Sequence, residues 1–351
     1  MTLTHVVRMW PDEGDPQFGS FIRGHIAALR DAGLPQRVVV WSGRSQRPLP
    51  LEGVAVHAGP SVASGPKGWN AKIQSVHQLG RPDVLHIHGS GGDSAYLLVR
   101  SVLNWGQRVP RVVSEHQYYG SGPLPTGVAW THRLANARTA VSPFLADRFA
   151  RIAPVDVVPN CWAAPRPEQL RQPHSGGRRV LHIGEWVDAT KGISPLLAAW
   201  KQHAVENPND RLTLVGDGAD RPLLEVLVRE TPNCRWLGRL DPDDLESEMG
   251  RHDMLVVNSP RETFSMVIGQ ARERGLHVLS TRCGGPESVY PLMGGITYRD
   301  GSTQDVADLV GHLNRLPPAR DAFQPWELDE FRPEAVAQRF LATYRRVGAK
   351  G

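Results

Sequence analysis

Residues 260–287 read PRETFSMVIGQARERGLHVLSTRCGGPE. The acidic Glu262 sits in a loop just ahead of an amphipathic helical stretch. That stretch runs into the β-rich segment HVLST, which ends at Cys283-Gly284-Gly285-Pro286-Glu287. The first N–H groups of a helix have no partner within it, and the helix dipole adds positive potential at the same end. A loop, helix and strand in this order therefore predict a place for a phosphate at the helix start.

The same alternation extends outward in both directions. Upstream lie the apolar runs VLHIG, RLTLVG, CRWLGR and MLVVNS, separated by the helical stretches ISPLLAAWKQHA, DRPLLEVLVRE and DPDDLESEMGRH. The first half repeats the plan. A strand from Leu3 to Trp10 and a turn around Asp15, Pro16 and Gly19 lead to a helix on which Phe21, Ile22, His25, Ile26 and Leu29 recur at helical spacing. RVVVWS, VLHIHG, RVVSEH, RTAVS and VDVVPN follow, with helical stretches such as SAYLLVRSVLNW and PFLADRFARI between some of them. Strands alternating with helices imply a parallel, doubly wound α/β sheet, whose ligands bind beyond the carboxyl ends of the strands. His88, Gly89, His116 and Asn160 lie at such ends.

Two such sheets suit 351 residues, since a single core usually stops growing below that length. The expected division is a Rossmann-like domain over 1–165, a Pro/Gly/Arg-rich linker over 166–179 and a second Rossmann-like domain over 180–325. A terminal amphipathic helix over 326–351 carries Val336, Phe340, Leu341 and Tyr344 on one side. Hydrophobic residues make up 40% and charged residues 22%, ordinary for a globular protein. Cys161, Cys234 and Cys283 have no metal-binding or disulfide spacing. A leader sequence and a run of about 18 apolar residues are both missing, so a cytoplasmic location is expected. Residues 1–165 carry 16 Lys+Arg against 10 Asp+Glu, leaving 24 against 26 for the rest. The basic half is compatible with a solvated surface, an anionic acceptor or peripheral contact with a membrane. No basic block with interleaved aromatics points to nucleic acid.

The stretch at 260–287 resembles the nucleotide-sugar site of the family 4 retaining glycosyltransferases, E-x7-E followed by a G-x-P-V-[VI]-[AS]-T-x-x-G-G-x-x-E segment. Glu262 matches the first Glu, Phe264 and Ser265 the usual Phe-Gly, Gly275 the Gly before the strand, and Gly284, Gly285 and Glu287 the closing residues. Gln270 stands where the second Glu is expected. Residues 182–192 look like the V-G-R-L-x-x-x-K-G segment of the same family, with Gly184 and Lys191 matching and Glu185 in place of the Arg. Leu214-Val215-Gly216-Asp217-Gly218 resembles its L-V-G-D-G turn, and His116 the histidine that reaches the donor sugar.

The resemblance implies the GT-B fold, with two Rossmann-like domains facing a cleft and the last helix returning to the N-terminal domain. It implies transfer from a nucleoside-diphosphate sugar with retention of configuration and no metal or other cofactor. Lys191, Gly19 and the N–H groups of Phe264, Ser265 and Met266 would stabilise the diphosphate, with Gly184, Gly216 and Arg239 nearby. Glu262 would hold sugar hydroxyls, His116 would orient the transferred sugar, and Gln270 would take the ribose. The acceptor, a sugar, a small molecule or a lipid-linked precursor of a surface polysaccharide or glycolipid, stays open.

Each of these residues also has an ordinary structural role open to it: Lys191 as a solvated lysine, Glu262 as an acid at a helix start, His116 as a hydrogen-bonded surface residue. Glu185 beside a diphosphate would be repelled, at about 4 kcal/mol for charges roughly 4 Å apart at an effective dielectric near 20. It is therefore expected to point away or to pair with Arg178, Arg239 or Arg261. A partner subunit without transfer activity and a nucleotide-sugar 2-epimerase remain as alternatives. His86 and His88, two apart on a strand, lack an evident third metal ligand. The HGSGG run at 88–92 is not followed by the G-x-S-x-G elbow of a hydrolase.

Overall fold

The computed structural model describes residues 1–41, 47–60, 66–172, 174–290, 294–318 and 324–349. The chain divides into two compact units, Met1–Ala163 with Asp329–Gly351, and Ala164–Leu328.

The first unit is built on seven strands: β1 (Leu3–Val7), β2 (Gln36–Val40), β3 (Ala55–Ala58), β4 (Val84–His88), β5 (Arg111–Glu115), β6 (Ala137–Ala140) and β7 (Asp156–Val157). They pair in parallel in the order β3-β2-β1-β4-β5-β6-β7. β1, β4 and β5 are buried at every residue, because helices cover both faces of the sheet. Leu3, Val84 and Val112 meet Leu29 of helix Ser20–Asp31 and Val336, Phe340 and Tyr344 of helix Pro333–Arg346 on one face. Their neighbours Val6, Leu85 and Val113 meet Ile73 and Val76 of helix Pro66–His77 and Leu97 and Leu98 of helix Gly92–Trp105 on the other. The period of two along each strand thus sorts the apolar residues between two cores.

The second unit holds β8 (Arg179–Ile183), β9 (Arg211–Val215), β10 (Cys234–Trp236), β11 (Met254–Val257), β12 (His277–Thr281) and β13 (Ile296–Arg299), all parallel in the order β10-β9-β8-β11-β12-β13. Its core joins Leu196 and Trp200 of helix Ile193–Glu206 to Leu212, Leu214, Val256 and Leu279 of the sheet and Leu309 of helix Val306–Asn314. Residues 166–179 belong to this unit. Arg171 pairs with Asp253 at 2.8 Å and Arg178 with Asp210 at 2.6 Å, all four being buried.

Each sheet reverses its strand order at one point, between β1 and β4 in the first unit and between β8 and β11 in the second. Loops leaving the carboxyl ends on either side of such a reversal diverge and leave a crevice for a ligand. In the second unit those loops carry Lys191 and Glu262; in the first they carry Gly19 and Gly89.

Candidate active site

β8 ends at Ile183, and the chain turns at Gly184 across the end of β9, where the Gly184 N–H bonds the Val215 carbonyl at 3.1 Å. A methyl group on Gly216 would lie 1.8 Å from the Gly184 oxygen, and one on Gly184 3.3 Å from Lys191 Cδ. The two glycines therefore let the turns after β8 and β9 stack closely under the Lys191 stem. Lys191 closes the short helix Asp188–Lys191, and Gly192, at φ 59°, turns the chain into the next helix.

β11 leads to Ser259 and Glu262. Lys191 Nζ pairs with Glu262 Oε1 at 2.6 Å, and Ser259 Oγ donates to the same oxygen at 2.8 Å. Glu262 is fixed through its backbone too, which bonds Cys283 at 3.2 Å and Gly285 at 2.8 Å. A Cβ on Gly285 would meet Thr263 and Phe264 backbone atoms at 2.3–2.5 Å, so only glycine permits this contact. Glu287 accepts from the Cys283 and Gly284 N–H groups at 3.1 and 2.8 Å, a capping role that locks the returning loop.

Phe264 is buried, and the helix Met266–Glu273 starts from Ser265 at φ 65°, ψ 75° with no side-chain cap. A non-glycine residue in this left-handed conformation is strained, and it stands at the predicted anion site. Gln270 is half-buried one turn into the helix. Lys191, Glu262, Gly184 and Gly216 are thus brought together at the switch point of one sheet, with Ser265 and Met266 leading on from Glu262. Arg239 is exposed in the turn after β10, and Glu185 is exposed as well. Arg178, offered above as a partner for Glu185, is taken up instead by Asp210 and Asn207 and by the Leu313 and Leu316 carbonyls.

Gly19 and His116 belong to the other unit. Gly19 has φ 75°, and a Cβ there would lie 2.4 Å from the Met9 carbonyl carbon. The chain segment that requires this glycine is thus its own Met9-Trp10 backbone. His116, just past β5, is buried, with its ring 5.1 Å from that of Phe21 and 5.7 Å from that of His25. Both belong to the helix that begins after Gly19.

Two features were not read from the sequence, the burial of His182 and the gathering of five histidines in the other unit. His182, on β8, is fully buried. Its Nδ1 donates to the Val256 carbonyl at 3.0 Å, which leaves Nε2 without a proton and, among the described residues, without a partner, and burial pushes its pKa down to about 4. A Cβ on Gly184 would lie 3.5 Å from that nitrogen, so His182 backs the Gly184–Lys191 contact. In the other unit His5, His25, His86, His88 and His116 are all buried together. Burial pushes His5 and His25 down to about 4 and His86, His88 and His116 well below their ordinary value, so all five are neutral at pH 7.

The ring nitrogens of His5, His86 and His88, and those of His25, His88 and His116, lie within 4.8 Å of one another, which meets the spacing of a metal triad. His5 thus supplies the third nitrogen that the sequence did not show beside His86 and His88, but every ring nitrogen of this triad is already hydrogen-bonded, His88 Nδ1 to His116 Nε2 included. The β1–β4 register, His5 opposite His86 and Val7 opposite His88, assembles the group, and the sequence does not display that register.

Comparison with known proteins finds a matching family for each half of the chain. Residues 19–161 match the family described as glycosyl transferase 4-like domain, and residues 177–315 that described as glycosyl transferases group 1. The chain belongs to the family-4-like GT-B glycosyltransferases. Glycogen synthase of Mycobacterium tuberculosis is 26% identical over 271 residues, 71% of this chain and 63% of that protein, so the chain spans less than two thirds of that relative. The phosphatidyl-myo-inositol mannosyltransferase of the same organism is 27% identical over 281 residues, 74% of this chain and 70% of that protein. Among solved structures, the apo lipopolysaccharide outer core galactosyltransferase WaaB superposes with a TM-score of 0.78 at 14% identity, over 99% of both chains. HepE of Anabaena, solved with UDP and glucose, does so with a TM-score of 0.69 at 16% identity, over 98% of this chain and 99% of that one. At these identities the structural likenesses establish the GT-B fold alone.

Proposed function

We propose that this GT-B protein transfers a glycosyl group from a nucleoside-diphosphate sugar to an acceptor with retention of anomeric configuration. The observation that carries the reading is the Lys191–Glu262 pair, held beside a strained helix start at the switch point of the second sheet. Lys191 and the N–H groups of the helix start supply positive potential for a leaving diphosphate, the kind of preorganised electrostatics that lowers a barrier most. Glu262 accepts from sugar hydroxyls, Gln270 meets the ribose, and His116 orients the transferred sugar. The acceptor belongs to the first unit.

UDP is the first donor base to try, since HepE was solved with UDP and with UDP-glucose. Glu185 favours a second reading, because an exposed anion follows Gly184 where the family carries an arginine. That reading is a nucleotide-sugar-binding partner without turnover.

The test is product analysis after incubation with UDP-, GDP-, ADP- and dTDP-sugars and a mixture of sugar and lipid-linked acceptors. Free nucleotide with the acceptor glycosylated in the donor's anomeric configuration supports retaining transfer. An inverted product sinks the retaining assignment, an isomerised donor identifies an epimerase, and binding without turnover identifies the partner subunit.

A further inference from the structure

Four side chains of the first unit form one continuous hydrogen-bonded chain. Gln36 Oε1 meets His5 Nε2 at 2.8 Å, His5 Nδ1 meets His88 Nε2 at 3.2 Å, and His88 Nδ1 meets His116 Nε2 at 3.2 Å. All four residues are buried, so a wrongly oriented link would cost the desolvation of the groups it leaves unpaired. The other end of the Gln36 amide settles the direction. Its Nε2 donates to the Ile26 carbonyl at 3.0 Å, and a backbone carbonyl can only accept. The amide nitrogen therefore faces Ile26, and the amide oxygen faces His5.

From that point each link dictates the next. An amide oxygen accepts, so His5 carries its proton on Nε2 and its Nδ1 is bare. A bare Nδ1 needs a donor, so His88 carries its proton on Nε2, and its own Nδ1 is bare in turn. That nitrogen takes the Nε2 proton of His116. Reversing any single link sets two lone pairs or two protons against each other inside the protein. His116 is the last member, and its Nδ1 has no hydrogen-bond partner among the described residues.

We infer that Gln36 is a positioning residue which, through His5 and His88, holds His116 as the Nε2–H tautomer and presents its Nδ1 as a pure hydrogen-bond acceptor. The nitrogen is itself covered in this structure, and a group that meets it must bring an O–H or N–H donor, such as a sugar hydroxyl. A phosphate oxygen, which carries only lone pairs, is turned away. The inference rests on the transferase reading for the identity of the ligand, not for the tautomer. His86 stands outside the relay, since its two nitrogens are taken by Tyr344 Oη and Ser114 Oγ, each at 2.7 Å.

The experiment is two-bond proton–nitrogen correlation spectroscopy of the full chain with 15N-labelled histidine at neutral pH, with His116 assigned from the signal lost in His116→Asn. The wild type is expected to show His116 with a protonated Nε2 and a bare Nδ1 as a single form. An Nδ1–H form, or a mixture, overturns the inference. Gln36→Leu removes the acceptor that orients the chain and is expected to give both tautomers at His116. Gln36→Glu keeps an acceptor in place and is expected to restore the single form.

An unchanged His116 in Gln36→Leu refutes the role of Gln36. Should that variant not fold, His5→Phe cuts the relay one link later and is read in the same way. The spectra need no nucleotide sugar. A protein that binds no nucleotide would end the transferase reading and leave the relay standing, while a mixed tautomer in an active enzyme would do the reverse.

Discussion

Lys191 Nζ lies 2.6 Å from Glu262 Oε1, so in the free protein the expected phosphate-binding cation is held by the expected sugar-binding carboxylate. A diphosphate must compete with Glu262 for that charge. Glu262→Gln is therefore expected to tighten binding of the nucleoside diphosphate alone while lowering transfer by about 100-fold or more, the usual scale for losing one transition-state contact. Lys191→Ala is expected to weaken both. Calorimetric titration beside product formation separates the two effects, and weaker nucleotide binding by Glu262→Gln would count against the arrangement.

Gln270 offers the ribose one carbonyl and two N–H donors, whereas a glutamate accepts through both oxygens and does so with charge. A hydrogen bond to a charged group exceeds a neutral one by about 1 kcal/mol. Gln270→Glu is thus expected to lower the donor Kd by roughly tenfold or less. An unchanged Kd would remove Gln270 from the nucleotide site.

Ser265 adopts φ 65° at the helix start, makes no capping bond, and stands where the resembled family has glycine. Ser265→Gly relieves left-handed strain at the cost of a floppier unfolded chain. The net expectation is a gain of up to about 1 kcal/mol in thermal or urea unfolding. A loss of stability would mean that the serine side chain supports the loop.

His5 and His25 are neutral in the folded state with pKa values near 4, against an ordinary value of 6.5. Their folded values are depressed, so the unfolded chain binds protons first as pH falls. The stability they confer is full above pH 6.5 and declines progressively toward pH 4, by about 3 kcal/mol for each group. Urea unfolding at pH 7.5 and pH 5 is expected to show a clear drop at the lower pH. His5→Gln and His25→Gln should flatten the profile, and a wild-type profile flat over this range would contradict buried neutral histidines.

The order of strands and helices was legible wherever a segment is buried on both faces, as in VLHIH at β4 or HVLST at β12. Of the four edge strands, β7 and β10 were legible as VDVVPN and CRWLGR, but β3 and β13 were not. β3, AVHA, is exposed at three of its four residues, and β13 is only partly buried, so neither shows a continuous apolar run. Helices Pro66–His77, Thr126–Leu134 and Val306–Asn314 were likewise not read out beforehand. The motif at 260–287 was legible because its residues are contiguous. The Gln36–His5–His88–His116 chain was not, because its members come from three strands and the loop after β5, and only the parallel register brings them together.

The central claim, a nucleotide-sugar site built on Lys191 and Glu262, is tested most directly by thermal unfolding of the wild type and of Lys191→Ala. UDP, GDP, ADP and dTDP and their common sugars are each added in turn. A ligand at 100 times its Kd stabilises the folded state by about 2.7 kcal/mol. The account predicts a selective rise in Tm with one nucleotide and its sugars in the wild type, and its loss in Lys191→Ala. A wild type that none of them stabilises, or a shift that survives Lys191→Ala, would contradict it.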